Sequence, residues 1–298
     1  MVQGKILLKP GTLWNSVKER TEYALGCGAL QSIPTEFEFV EQGGVSFLVR
    51  ILSNLNRKKV AKQKQEKQIA PSGKEFNPFL PYEEDLFVAD ISDSHVCILN
   101  KFNVVDHHLL IITRAFEEQD SLLTLEDFAA MWASLADFDG LAFYNGGKIA
   151  GASQRHKHLQ LVPLPLTPSG LQIPIAPLLP TATVPNSIAT IPQLPFLNAF
   201  ATLDPSWANS PFTAAVATLE IYHSLLRKVG LESVPYNLLA TRQWMLIVPR
   251  SQEEFESISV NSLGFAGALL VRNQQQMHFV KDLGPMTILK SVAIPNPL

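Results

Sequence analysis

Cysteine is nearly absent: Cys27 and Cys97 are the two thiols in 298 residues, and they do not form a Cys-x-x-Cys pair. A disulfide framework is thereby excluded, and a zinc ion would lack its usual thiolate ligands. Long apolar runs are missing as well. No stretch approaches the roughly 20 residues needed to span a bilayer, and the start Met1-Val-Gln-Gly-Lys5 has no signal-peptide core. Neither sign of charge dominates, since 24 Lys and Arg against 27 Asp and Glu give a net −3. That balance argues against nucleic acid as a bulk partner. The phosphate-loop frame Gly-x4-Gly-Lys is lacking too, because Pro71-Ser-Gly-Lys74 supplies only its end. These absences lead us to expect a cytoplasmic protein that binds neither nucleic acid nor membrane.

Hydrophobic residues make up 46% of the chain, ample for the two buried cores its length suggests. Prolines at 163, 165, 168, 174, 177, 180, 185, 192 and 195 forbid a long helix or a central strand there. Residues 166–195 therefore read as an extended connector between a region 1–165 and a region 196–298. In the first region a helix is expected from about Thr124 to Phe138. Thr124 and Asp127 stand in capping-box spacing, and Leu125, Phe128, Trp132 and Leu135 share a stripe. Apolar segments at Leu86 to Ile91, Val96 to Leu99, Leu109 to Thr113 and Leu141 to Asn145 read as strands, and about Leu13 to Leu25 as a structural helix. Beyond the connector, Ser210-Pro211 opens a helix closed by Gly230. Strands follow at Tyr236 to Ala240, Trp244 to Val248 and Phe265 to Val271. The fold class is α+β, with the order helix, strand, strand used twice.

The densest chemistry lies in Asn145-Gly-Gly-Lys-Ile-Ala-Gly151-Ala-Ser153-Gln-Arg-His156-Lys-His158-Leu-Gln160. Side chains alternate along a strand, so His156, His158 and Gln160 share one face about 6 to 7 Å apart while Leu159 and Leu161 bury the other. Such a row faces a ligand, a metal or water, and the His-x-His spacing alone fits a surface strand equally well. The glycine-rich turn and Ser153 add N–H and hydroxyl donors suited to a phosphate.

The spacing Asn-x7-Ser-x2-His-x-His-x-Gln resembles the nucleotidyltransferase branch of the histidine-triad superfamily, and within it the diadenosine tetraphosphate phosphorylases, or ATP adenylyltransferases. Galactose-1-phosphate uridylyltransferases share the pattern. The segments Thr21 to Ile33, Gly44 to Arg50 and Pro235 to Arg250 are similar to that family as well, so the resemblance covers nearly the whole chain. It implies two histidine-triad-like lobes, each an antiparallel sheet with helices, forming a pseudo-dimer in one chain. Only the first would keep the nucleophile, and no second His-x-His occurs.

By that resemblance His158 attacks the α-phosphate to form a nucleotidyl-histidine, with its other ring nitrogen donating to a backbone carbonyl. His156 holds the geometry. Gln160 bonds a phosphoryl oxygen, and Ser153, Asn145 and the amides near Gly151 stabilise negative charge. Phe76-Asn77-Pro78-Phe79 resembles the nucleoside-binding segment, in which Phe79 lies against the base and Asn77 bonds the base or ribose. Taken without the resemblance, it reads as a proline-bounded core corner. Asn100 falls where relatives bind ribose. Lys58 or Lys74, in or near the basic run Arg57 to Lys67, and Arg50 are candidates for the polyphosphate, although such a run is ordinarily a solvated loop. Asn261 to Gly267 resembles a segment lining the leaving-group or acceptor side, to which Arg242 and Lys281 are further candidates. His95, His107, His108, His223 and His278 are read as non-catalytic.

No tightly bound cofactor or metal is expected, beyond a Mg2+ that can accompany the polyphosphate. The expected activity is phosphorolysis of diadenosine tetraphosphate to ADP and ATP. Another nucleotidyltransferase reaction, or a silent sensor of dinucleoside polyphosphates, are the alternatives. The missing zinc cysteines weigh against the first, and retention of His156, His158, Gln160 and Ser153 against the second.

Overall fold

Residues 5–52, 77–180, 186–230 and 235–296 are described by a computed structural model of the chain; Lys58, Lys74 and the basic run lie outside them. A helix α1 (Leu13–Cys27) ends at Gly28 in the left-handed region, φ 80. Strands β1 (Thr35–Gln42) and β2 (Val45–Leu52) follow as a hairpin. Gly43 and Gly44 form its two-residue turn with φ 60 and 80, values that a primed turn demands and that glycine supplies without strain.

The first lobe continues with β3 (Phe87–Asp90), β4 (His95–Leu99), β5 (Leu109–Thr113), helix α2 (Leu125–Leu135), β6 (Gly140–Asn145) and β7 (His158–Pro163). After the proline-rich stretch come β8 (Ile188–Ala189), β9 (Ala199–Thr202), helix α3 (Pro211–Lys228), β10 (Tyr236–Ala240) and β11 (Trp244–Pro249). The chain closes with β12 (Glu254–Phe255), β13 (Ile258–Ser259), the short α4 (Ser262–Phe265), β14 (Ala268–Val271), α5 (Gln274–Leu283) and α6 (Pro285–Val292).

Among the described residues, one antiparallel sheet runs through both lobes in the order β3-β4-β5-β7-β6-β10-β11-β9-β8. β6 and β10 meet at its centre, with Asn145 opposite Asn237. The helices preceding those strands pack on each other: Trp132 on α2 donates to Thr218 on α3 at 2.8 Å, and Phe128 meets Tyr222 edge-on at 5.3 Å. Helix pairs with helix and strand with strand, which is the pseudo-dimer expected of two similar lobes. The symmetry stops at the polar row. On β11 the alternate positions toward the second core are Trp244, Leu246 and Val248, all apolar.

Several segments differ from the sequence reading. The motif strand begins at His158, and His156 joins through a single bridge to Glu118. The polar row is buried rather than displayed. Of the expected strand Phe265 to Val271, only its end is extended. Asn261 accepts from the Leu263 N–H at 3.0 Å and starts the helical turn α4, which competes locally with a strand. β14 then adds to β2 in parallel, making a separate sheet with the β1–β2 hairpin. The proline-rich stretch packs as well as connects: Ile173, Ile175, Leu178, Ile191, Leu194 and Phe196 are buried in the second core.

Candidate active site

The glycine-rich turn between β6 and β7 sets the site against the second lobe. Gly151 has φ 89, and a Cβ there would lie 2.7 Å from the Val260 carbonyl oxygen. No other residue permits that approach. Register places the polar groups side by side: Phe143 faces Gln160, so Asn145 stands next to His158 two residues along. His156, His158 and Gln160 are 2%, 4% and 9% exposed, and the Phe79 ring lies edge-on to both histidines at 5.6 and 5.3 Å.

His158 has one ring nitrogen committed. Nδ1 donates to the His156 carbonyl at 2.8 Å, so the tautomer leaves Nε2 with its lone pair, and no described residue hydrogen-bonds that atom. Burial pushes the His158 pKa down to about 4, with the His156 carbonyl opposing and the His156 ring assisting. His156 donates from Nε2 to the Thr113 carbonyl at 2.8 Å and accepts at Nδ1 from Asn77 Nδ2 at 3.0 Å. Burial lowers its pKa also. Asn77 then accepts the Phe79 N–H at 3.0 Å. Its amide thus orients both His156 and Phe79.

Two carboxamides flank His158, each with its oxygen occupied. His108 donates from Nε2 to Gln160 Oε1 at 2.9 Å, while its Nδ1 accepts from Asn100 Nδ2 at 3.2 Å. Burial pushes the His108 pKa down to about 4. Asn100 therefore reaches the site through His108. Asn145 Oδ1 accepts from Asn237 Nδ2 at 2.9 Å and from Ser262 N and Oγ at 2.9 and 2.8 Å. Among the described residues nothing accepts from the NH2 of Gln160 or of Asn145. The result is a neutral imidazole between two amide donors, an arrangement able to attack an electrophile whose oxygens carry negative charge.

Ser153 is exposed at the rim and bonds to no described residue. On the far side of the turn, a cavity of about 250 Å3 is lined by Gly151, Arg50, Asn261, Gly264 and Arg272. Arg50 is half-buried and donates to Thr35 Oγ1 at 3.3 Å; burial lowers its pKa and Asp106 opposes. Arg242 and Lys281 are engaged elsewhere. Arg242 donates to the Leu135 carbonyl at 2.6 Å, and Lys281 pairs with Glu38 at 2.5 Å.

Other residues of the site escape a reading of the sequence. Gln119, buried in the loop before α2, accepts the His158 N–H at 2.8 Å and donates to the Asn145 and His158 carbonyls at 2.9 and 3.2 Å. Lys157, between the two histidines, points to the opposite face at 1% exposure, its Nζ 2.6 Å from Asp127. Asp127 is also 3.0 Å from His95 Nε2. Burial favours a neutral Asp127, but His95 and Lys157 outweigh it and hold the carboxyl below its ordinary range. Only His108 carried a signal in the sequence, as one of two adjacent histidines just before an apolar strand.

Residues 3–181 match the family described as Ap4A phosphorylase N-terminal domain, and residues 192–295 the ATP adenylyltransferase C-terminal domain. Protein APA1 of Saccharomyces cerevisiae is 26% identical over 316 residues, covering 96% of each chain. Diadenosine 5',5'''-P1,P4-tetraphosphate phosphorylase 2 of the same yeast is 26% identical over 229 residues, covering 67% of this chain and 70% of that one. The crystal structure of yeast Ap4A phosphorylase Apa2 in complex with AMP superposes with a TM-score of 0.80 at 22% identity, covering 98% of this chain and 99% of the other. The structure of Apa2 in complex with Ap4A gives 0.79 at 22%, with 98% and 100% covered. At that identity the structural likeness concerns the fold.

Proposed function

The chain belongs to the Ap4A phosphorylase family, whose two domain types it carries in order, and on that premise we propose that it cleaves diadenosine tetraphosphate with orthophosphate to ADP and ATP. The observation that carries the reading is His158, uncharged at neutral pH, with Nδ1 tied to the His156 carbonyl and Nε2 unbonded among the described residues. In the first step Nε2 attacks the α-phosphorus, the bond from phosphorus to the bridging oxygen breaks, and ATP departs with that oxygen. In the second, an oxygen of orthophosphate attacks the adenylyl-histidine, the phosphorus–nitrogen bond breaks, and ADP leaves. The amides of Gln160 and Asn145 donate to the phosphoryl oxygens in both steps, where charge rather than proton transfer sets the barrier.

Ser153 and the Gly151 turn extend the donor set toward the chain of phosphates. Arg50 offers a cation across the turn, and Lys58 and Lys74 are assigned to the same polyphosphate. Phe79 offers apolar surface to the nucleoside, and Asn100 acts through His108. Mg2+ belongs with the polyphosphate rather than with a site on the protein, and the reaction runs in the cytoplasm on free nucleotides.

The deciding experiment supplies diadenosine tetraphosphate with and without labelled orthophosphate and resolves the products, in buffers with and without Mg2+. Equal ADP and ATP are expected, only when phosphate is present, with label in the β position of ADP. AMP plus ATP at full rate in phosphate-free buffer would sink the transferase reading. Tight binding without any reaction would favour a sensor.

A further inference from the structure

Arg250 is 1% exposed and directs five N–H bonds inward. Nε meets the Val292 carbonyl at 3.1 Å, Nη1 meets Asn237 Oδ1 at 2.6 Å and the Val260 carbonyl at 2.8 Å, and Nη2 meets the Gln252 and Glu253 carbonyls at 2.8 and 3.0 Å. A guanidinium has five donors and no acceptor. All five are used, and whatever touches this group must present an oxygen to it.

That one-sidedness travels. Asn237 turns Oδ1 to Arg250, so its NH2 faces the other way, where its two hydrogens are shared among Asn145 Oδ1 at 2.9 Å, the Ala150 carbonyl at 2.8 Å and Ser262 Oγ at 2.9 Å. Asn145 in turn has its oxygen drawn toward the second lobe by Asn237 and Ser262, which leaves its Nδ2 as the free end. Asn145 is 1% exposed, and a buried amide without such a bias has two orientations of similar shape. One would offer a phosphate a donor, the other a repelling oxygen.

We propose that Asn237 and Arg250, both from the second lobe, are positioning residues that lock the Asn145 carboxamide with its NH2 toward the phosphate seat beside His158. The proposal rests on the phosphorolysis reading for what occupies that seat. It goes beyond it in giving the lobe without a nucleophile a defined part in the first lobe's chemistry. Asn237 and Arg250 touch no reacting atom in this scheme and act through Asn145.

A double-mutant cycle separates such action from general support of the fold. The four proteins are wild type, Asn145→Ala, Asn237→Ala and the double variant, each assayed for kcat and KM in phosphorolysis of diadenosine tetraphosphate and for AMP affinity by calorimetry. Asn145→Ala and Asn237→Ala are each expected to lower kcat about tenfold with KM changed less, and Asn237→Ala to cost almost nothing further once Asn145 is gone. Should Asn237→Ala fail to fold, Ser262→Ala removes one donor to Asn145 Oδ1 without uncovering Arg250. It should lower kcat about threefold in the wild-type background and leave Asn145→Ala unchanged. Equal losses in both backgrounds would overturn the proposal, as would an Asn145→Ala variant with full activity and affinity. If wild type makes no ADP and ATP, it is the functional reading that fails. The same cycle read in AMP affinity then decides the positioning, supported by coupling and overturned by additivity.

Discussion

His158 can attack phosphorus only while Nε2 keeps its lone pair, and the fold secures this by burial and one hydrogen bond rather than by a neighbouring base. On the proposed mechanism, replacing His158 with alanine removes the group that forms the covalent bond. Turnover should fall by roughly 10³-fold or more, while AMP binding, measured by calorimetry, stays within a few-fold of wild type. A variant retaining a tenth of the activity would mean another nucleophile. Neutral burial also leaves a signature in stability. His158 and His108 have folded pKa values near 4, below the unfolded value, so between about pH 6.5 and 4 the unfolded chain binds more protons and stability falls as pH drops. Each ring contributes up to about 3 kcal/mol across that window. Urea unfolding at pH 7 and pH 5 should show a loss of stability that is smaller in His108→Asn, and an identical loss in both proteins would contradict it.

At the scale of elements, Asp127 joins three jobs that the sequence displays only one at a time. It closes the capping box with Thr124 at the start of α2, receives His95 from β4, and neutralises Lys157 at the entrance to β7. Asp127→Asn would keep the shape but withdraw the charge facing a buried ammonium. The cost is expected to be about 3 kcal/mol or more, read from the unfolding midpoint; an unchanged midpoint would show that Glu117, 3.2 Å from Lys157, suffices. The capping box was legible because its signal spans four residues, and so were the apolar strands and the Ser210-Pro211 helix start. The parallel docking of β14 on β2 was not, since apolar periodicity records a buried face and not the strand beside it. The motif histidines stood out because they lie two positions apart, with Gln160 two further on. Gln119, Asn237 and Arg250 are ordinary polar letters until folding buries them, and only the assembled lobes tell them from surface residues.

Across the whole molecule, two similar lobes share one sheet and divide the tasks. The first holds the buried polar row of His156, His158 and Gln160, while the corresponding face of the second is filled by Trp244, Leu246 and Val248 against the proline-rich stretch. Joining the halves in one polypeptide has a consequence for heredity. In a symmetric pair of identical chains every substitution appears twice, so a change that improved a brace would also alter the site it braces. Within a single gene the copies are edited separately, and the half without the polar row is free to adopt a brace that the other half could not carry.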